Sequence, residues 1–248
     1  MTQAATLAQM GNTNQTMRNR IINGAMTIDQ RNAGASVTPS NQAYTLDRWS
    51  AQLSAASKYS VQQNAGSVTP PAGLTNYLGI TSSSAYSVIS TDYFYIQQYI
   101  EGYNIADLNW GTANAKTVTL SFWVQSSLTG TFGGALQNGA FTRSYPFTYT
   151  ISSANTWTPI SIVIPGDTIG TWATNNSVGI AVRFGLGVGS TYSGTANAWA
   201  GAYYGSVTGA TSVVGTSGAT WYITGVQLEV GTAATSFDYR DYGNEFRM

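Results

Sequence analysis

Residues 117–126 read Thr-Val-Thr-Leu-Ser-Phe-Trp-Val-Gln-Ser, and they alternate between polar and apolar side chains. A period of two places successive side chains on opposite faces of an extended chain, so this stretch predicts a half-buried β-strand. Trp123 breaks the alternation, because it is a large aromatic residue on the Ser/Thr-rich face. Either another layer or subunit covers this tryptophan, or it is exposed for a partner.

The same alternation recurs along most of the chain, between turn signals rich in Gly, Pro, Asn and Asp. Further strands are predicted at residues 21–31, 46–53, 93–101, 147–151, 160–164, 180–188 and 221–230. Such a series, with no convincing helix after residue 22, predicts an all-β protein, and we expect a jelly-roll β-sandwich. Residues 23–248 would form this domain, and residues 1–22 would form an N-terminal arm or short helix.

Two stretches qualify this simple pattern. Gly185, Gly187 and Gly189 alternate with the apolar residues of one predicted strand, which indicates a close backbone approach or a bulge. Residues 190–218 are rich in Ser, Thr, Gly, Ala and Tyr and predict a long ordered loop. Loops of this length are usually functional or interfacial.

The N-terminal segment carries a different period. Spacings of three and four alternate between Leu7, Met10, Asn14, Met17 and Ile21. This spacing is typical of the seam of a coiled coil, in which a polar residue such as Asn14 fixes the register. Gly11 interrupts the pattern, and the alternative is a flexible arm that becomes ordered only in an assembly. Both interpretations assign the arm to anchoring or oligomerisation.

Composition excludes several classes of function. The chain has no cysteine and no histidine, which removes Cys/His zinc sites, cysteine nucleophiles and histidine-based triads. Ten basic residues balance ten acidic ones, and charged residues make up 8% of the chain, against about 25% in typical proteins. A neutral surface disfavours nucleic acid and membrane lipid, whereas weak net repulsion favours assembly. The sequence shows neither an apolar run of transmembrane length nor a secretion signal, so we expect release by cell lysis.

Several long motifs make the chain similar to a known family. They are residues 19–31 (Asn-Arg-Ile-Ile-Asn-Gly-Ala-Met-Thr-Ile-Asp-Gln-Arg), 44–49 (Tyr-Thr-Leu-Asp-Arg-Trp), 117–126, 155–157, 164–168 (Ile-Pro-Gly-Asp-Thr), 222–231 and 237–240. Together they resemble bacteriophage virion proteins of the tail-fibre, minor tail and head-decoration types, over nearly the whole chain from Asn19 onward. The core of that family is similar to the jelly rolls of carbohydrate-binding modules. Many relatives continue into a Cys-Gln-Arg-Tyr-Tyr segment that this sequence lacks, so a distal tail-tip domain is not implied.

The resemblance implies a homotrimer on a virion, assembled in the host cytoplasm, in contact with other capsid or tail proteins. Two functions stay open. In the first, the chain is a non-enzymatic structural protein, either a fibre or a capsid decoration. In the second, it is a receptor- or glycan-binding module that attaches to the host surface. The two differ in whether the face that bears Trp123 and Tyr95 is buried in the assembly or open.

The polar faces of two predicted strands supply the candidates for glycan binding. Aromatic rings stack on the C–H faces of sugars, and amides and carboxylates bind the sugar hydroxyls. The candidate residues are Trp123, Tyr93, Tyr95, Tyr99, Gln97, Gln125 and Glu101. A subunit interface is the alternative assignment for the same residues, because Tyr and Trp are enriched there too.

Two acidic residues are candidates for a metal site, and the alternative is that they are ordinary surface or salt-bridged acids. Carbohydrate-binding jelly rolls often hold a structural calcium ion by a carboxylate and backbone carbonyls, so the resemblance makes Asp29 and Glu229 candidate ligands. No cofactor is required. A glycosidase needs two carboxylates across a cleft. Asp238 and Asp241 flank Arg240 and more simply pair with it, so we expect no catalytic residues and no enzymatic activity.

Overall fold

The computed structural model describes residues 17–248, which form twelve strands and a short C-terminal helix. The strands are β1 (Ser50–Leu53), β2 (Tyr59–Gln63), β3 (Leu78–Ser82), β4 (Tyr93–Glu101), β5 (Val118–Ser126), β6 (Gly130–Asn138), β7 (Ser144–Ile151), β8 (Thr158–Ile164), β9 (Val178–Val188), β10 (Ser193–Gly194), β11 (Ser206–Val207) and β12 (Thr220–Val230). Helix α1 is Tyr242–Arg247, and 3-10 turns occur at Ala65–Ser67, Gly102–Asn104, Ala106–Leu108 and Ser190–Tyr192. No helix in this described part is long and apolar enough to cross a membrane.

Ten of the strands form two antiparallel sheets. Sheet 1 has the order β1-β4-β9-β6-β7, and sheet 2 has the order β2-β3-β12-β5-β8. The remaining two, β10 and β11, form a small parallel pair. The predicted all-β jelly-roll sandwich is therefore confirmed, and strand β5 lies inside sheet 2 between β12 and β8.

The core lies between the inner faces of the two sheets. Phe184 of β9 is fully buried there and contacts the rings of Trp49, Phe122 and Trp221, with centroids 6.2, 5.1 and 5.9 Å apart. Because these rings come from both sheets, one aromatic cluster joins the two halves of the sandwich.

The segment before β1 departs from the prediction. Residues 21–31 contain no strand, so the first predicted strand is wrong. Asn23 and Met26 adopt left-handed backbone angles, with φ of 54° and 57°, which an extended strand excludes. The Asn23 side chain instead accepts from Ile28 N–H and donates to Ile28 C=O, at 3.0 and 2.8 Å. One amide side chain thus takes the place of a neighbouring strand.

The predicted oligomerisation seam is also revised at its last position. Ile21 is fully buried in the core, so it is not available to a second chain. Asn19 fixes this segment, because its side chain donates to Val226 C=O at 3.1 Å and accepts from Leu228 N–H at 3.0 Å. Met17 is half-buried. The seam residues Leu7, Met10 and Asn14 lie outside the described residues.

A long segment between β9 and β12 lies across the outer face of sheet 1. We call residues 190–207 the strap. Gly133 and Gly185 make room for it: a Cβ atom at either position would lie only 2.5 or 2.8 Å from the Ser206 hydroxyl. Gln137 donates to Tyr204 C=O at 2.6 Å, which fastens the strap to β6. The predicted close approach at Gly185 and the predicted long loop are therefore both confirmed.

A buried carboxylate holds the loop before β4 in place. Burial would raise the pKa of Asp92, but hydrogen bonds from Ile89 N–H and the Ser54 hydroxyl, aided by the Lys58 charge, outweigh it and lower the pKa below its ordinary value. A lowered pKa stabilises the fold above the ordinary aspartate pKa of about 3.9, and this contribution is lost as pH falls through the folded value.

Substitution Asp92→Asn is therefore expected to lower the free energy of unfolding at pH 7 by about 1–2 kcal/mol, because charge-assisted hydrogen bonds are weakened. The difference between variant and wild type should shrink as pH falls below about 3.9 and then through the lower pKa of the folded carboxylate, where Asp92 becomes protonated. Urea unfolding at pH 7 and pH 3 measures both effects. A difference that stays constant between these two pH values would contradict the assignment.

Candidate functional site

The structure divides the predicted glycan-binding residues between two surfaces. Trp123 and Gln125 lie on β5 in sheet 2, whereas the five candidates of residues 93–101 lie on β4 in sheet 1. Both sets point away from the core, since Phe94, Ile96, Phe122 and Val124 fill the inner positions between them. The outer faces of a sandwich point in opposite directions, so the two sets do not form one platform.

On sheet 1 the strap buries some of the predicted glycan-binding residues of β4. Tyr95 and Gln97 are fully buried, while Tyr93, Tyr99 and Glu101 are half-buried. The Tyr95 hydroxyl lies 2.8 Å from that of Tyr203 in the strap. Tyr95 and Gln97 are therefore internal residues in this chain, and the prediction that they face outward to a partner is wrong.

Arg183 of β9 lies at the centre of this covered region. Its guanidinium carbon is 4.5, 4.9 and 5.0 Å from the ring centroids of Tyr95, Phe141 and Tyr203. It also donates to Gln97 Oε1 at 3.0 Å and to the Tyr95 hydroxyl at 3.1 Å. Burial raises the pKa of Tyr95 far above its ordinary value although the Arg183 charge opposes this, so the hydroxyl stays neutral. Aromatic faces thus surround a buried cation and join the strap to the sheet.

On sheet 2, Trp123 remains half-buried and lines a cleft of about 230 Å³. Pro159 of β8 lies directly opposite Trp123 in the strand register. Phe237, from the segment after β12, closes another side of the cleft. Gly225 lies beneath it with φ of 61°, at a bulge in β12. The cleft is therefore built by three neighbouring strands, β12, β5 and β8, and by the segment after β12.

The indole N–H groups separate Trp123 from the other tryptophans. The chain has seven tryptophans, all within residues 17–248, and six donate their indole N–H to a protein acceptor. Trp123 has no such acceptor in this described range. Structural tryptophans usually satisfy their N–H when they are buried. Trp123 thus lines the cleft and carries an indole N–H that is left unused by protein acceptors within residues 17–248.

The remaining cleft lining is neutral and rich in hydroxyls. Ser121 and Ser161 lie opposite one another on β5 and β8, next to the pair formed by Trp123 and Pro159. Thr235 also lines the cleft, but its hydroxyl already donates to Glu229 at 2.7 Å. None of the lining residues is charged. Such a surface can stack on an apolar ring face and exchange hydrogen bonds with hydroxyl groups.

Gln125 takes no part in this cleft. It lies opposite Tyr222 on β12 and is only 5% exposed. Sequence reasoning identified Trp123 but missed Pro159 and Phe237. Phe237 occurs in a conspicuous aromatic and charged segment, yet only the chain path after β12 shows which face it covers.

The acidic candidates are engaged by internal donors. Asp29 accepts from the backbone N–H groups of Asn32 and Gly34, at 3.1 and 2.8 Å. Glu229 is 2% exposed and accepts from Gln227 and Thr235. Within residues 17–248, no three His, Cys, Asp or Glu side chains are grouped so that they could hold a metal ion. The calcium site stays a prediction.

Arg240 does not pair with its sequence neighbours as predicted. It donates to Glu245 at 2.9 Å and to backbone carbonyls of the segment 19–21. Asp238 accepts from Arg18 at 3.4 Å, and Asp241 caps the N-terminus of α1 by accepting from Asn244 N–H. Asp238 therefore joins the C-terminal segment to Arg18, and Asp241 stabilises α1.

Comparison with known proteins shows that this chain is similar in fold to solved structures. No protein-family model matches the chain. No curated protein matches it in sequence. Among solved structures, a candidate sugar-binding protein from Bacteroides thetaiotaomicron has a TM-score of 0.50 at 13% identity, covering 86% of this chain and 100% of that one.

Two further solved structures are similar to this chain at lower TM-scores. The enzymatically active domain of tailspike protein 4 from bacteriophage CBA120 has a TM-score of 0.46 at 11% identity. The match covers 86% of this chain but 21% of that protein, so the chain spans about a fifth of its length. A family 4 carbohydrate-binding module has a TM-score of 0.44 at 15% identity, covering 84% of this chain and 98% of that one. The likeness to the sugar-binding protein, at 13% identity, is a likeness in fold alone.

Proposed function

We propose that this chain is a non-enzymatic glycan-binding module and that the Trp123 cleft is its binding site. The observation that carries the proposal is the unused indole N–H of Trp123, in a cleft of about 230 Å³. A pyranose ring would stack on the indole, while Trp123 N–H and the hydroxyls of Ser121 and Ser161 would bind sugar hydroxyls. Because no charge lines the cleft, the glycan is an uncharged one.

Substitution Trp123→Ala is expected to weaken glycan binding about tenfold or more, since it removes both the stacking surface and the donor. Trp123→Phe should retain part of the affinity, because it keeps a ring without the N–H. The measurement is a screen of neutral bacterial surface glycans followed by calorimetric titration of the best ligand.

Two controls locate the site. Val163→Ala changes a 45%-exposed residue further along the outer face of β8 and should leave binding unchanged. Tyr99→Ala tests the predicted glycan-binding residues of β4 that remain half-buried on sheet 1. If Tyr99→Ala abolishes binding and Trp123→Ala does not, the site lies on the opposite face. If no neutral glycan binds at millimolar concentration, the proposed function is wrong.

We further propose that the module is carried on the surface of a phage particle as a homo-oligomer, where it attaches to host glycans. The sequence resemblance to virion proteins supports this placement, and the low net charge favours assembly. Immunogold microscopy of intact particles tests it. Labelling of the capsid would favour a decoration role, labelling of the tail would favour host attachment, and unlabelled particles would contradict the placement.

A further inference from the structure

The two termini of the described chain meet at one end of the sandwich. Arg240 donates to Ile21 C=O at 3.0 Å, and Arg18 contacts Asp238 at 3.4 Å. We call this region the terminal end, formed by residues 17–31, 44–48, 101–107 and 236–248. Any contact made here lies next to the point at which residues 1–16 join the domain.

Charged residues gather at the terminal end and cancel one another. Five ion pairs occur among residues 17–248, and four of them lie within this end. The region therefore combines many charges with little net charge. Nucleic acid or anionic lipid would need an excess of basic residues, whereas a surface with balanced charge can meet a copy of itself without repulsion.

Exposed aromatic and apolar side chains occupy the same region. Tyr239, Tyr242, Phe246 and Met248 are 62, 61, 46 and 43% exposed, and we call them the terminal patch. Phe246 and Met248 also line a cleft of about 270 Å³ together with Tyr44 and Arg31. Tyr, Phe, Met and Arg are the residue types enriched in the centres of protein interfaces.

We infer that the terminal patch is a self-association surface that docks on a second copy of this chain. Three observations favour a copy as the occupant: the balanced charge, the exposed residues of interface type, and the attachment of residues 1–16 at the same end. Those residues carry the seam positions Leu7, Met10 and Asn14 in the sequence. This inference deepens the oligomer proposal and does not depend on glycan binding at Trp123.

The test compares two charge insertions at matched exposure. The double variant Tyr242→Asp/Phe246→Asp places carboxylates in the terminal patch. The control Ile89→Asp changes a residue that is 60% exposed in the loop before β4, near the strand end opposite Glu101. The nine residues of β4 separate the two ends by about 30 Å. Analytical ultracentrifugation of the full chain at tens of micromolar measures the mass of each protein.

Wild type and Ile89→Asp are expected to sediment as oligomers, and the double variant as a monomer with an association constant about a hundredfold lower. A monomeric wild type overturns the inference, as does a double variant that associates like wild type or a control that dissociates equally. Circular dichroism of the monomeric variant is the second readout. A wild-type β-sheet spectrum shows that the variant is folded, so a failed assembly is distinguishable both from unfolding and from a failed Trp123 site.

Discussion

Substitution Asp167→Asn is expected to lower the free energy of unfolding by about 3 kcal/mol. The Asp167 side chain is 2% exposed and accepts two hydrogen bonds from Arg143, each 2.7 Å long. The hydrogen bonds to Asp167 raise the pKa of Arg143 above its ordinary value, in opposition to burial, so the arginine stays charged. An asparagine retains the shape but leaves a largely buried cation without its counter-ion.

The position of this pair explains why the effect should reach beyond two residues. Asp167 C=O accepts from Gly111 N–H at 2.7 Å, next to Trp110. The rings of Trp110, Trp172 and Trp199 pack edge to face, with centroids 4.7 to 5.5 Å apart. Trp199 belongs to the strap, so the ion pair supports the contact between the strap and the body of the sandwich.

A matched control separates burial from charge. Glu101→Gln removes a carboxylate that pairs with Arg48 at 2.9 Å, and the side chains of Glu101 and Arg48 are 36 and 32% exposed. Exposed ion pairs contribute about 0–1 kcal/mol, so this variant should remain within that range of wild type. Urea unfolding of both variants at pH 7 gives the comparison. Equal losses for the two substitutions would contradict the role assigned to burial.

The sandwich could be predicted because period-two alternation reports directly on which face of a strand is buried. Strands β4, β5, β8, β9 and β12 all carry it, and the apolar positions of β5 lie in the core as expected. The same alternation predicted a strand at residues 21–31 that the structure does not contain. Met26 and Ile28 are buried as the alternation indicates, but the Asn23 side chain satisfies the backbone there without a strand.

The candidate site could be predicted only in part, because alternation assigns faces without showing what covers them. Trp123 and Tyr95 looked equivalent in sequence, since both are aromatic residues on a polar face. Trp123 lines an open cleft, whereas the strap buries Tyr95. That difference depends on contacts more than a hundred residues apart along the chain, such as the one between Tyr95 and Tyr203. The cleft partners Pro159 and Phe237 depend on strand register and chain path in the same way.

The strap gives the second large prediction. Arg183→Ala is expected to lower the free energy of unfolding by about 3 kcal/mol, because it removes cation–π contacts with three rings and leaves a buried cavity. Arg183 is 1% exposed, and no carboxylate within residues 17–248 pairs with it. The aromatic rings and the hydrogen bonds to Gln97 and Tyr95 must therefore compensate for burying its charge.

Arg183→Met separates the contribution of packing volume from the contribution of the charge, since methionine refills much of the volume without the charge. Burying a charge without a counter-ion costs free energy. Arg183→Met should therefore recover about half of the free energy of unfolding that Arg183→Ala loses. Hydrogen exchange should show faster exchange at strap amides such as Gly205 N–H, which donates to Tyr192 C=O, in the alanine variant. Arg18→Ala, at an arginine that is 43% exposed, is the control. If Arg183→Ala costs no more stability than Arg18→Ala and leaves strap exchange unchanged, then Arg183 does not hold the strap on sheet 1.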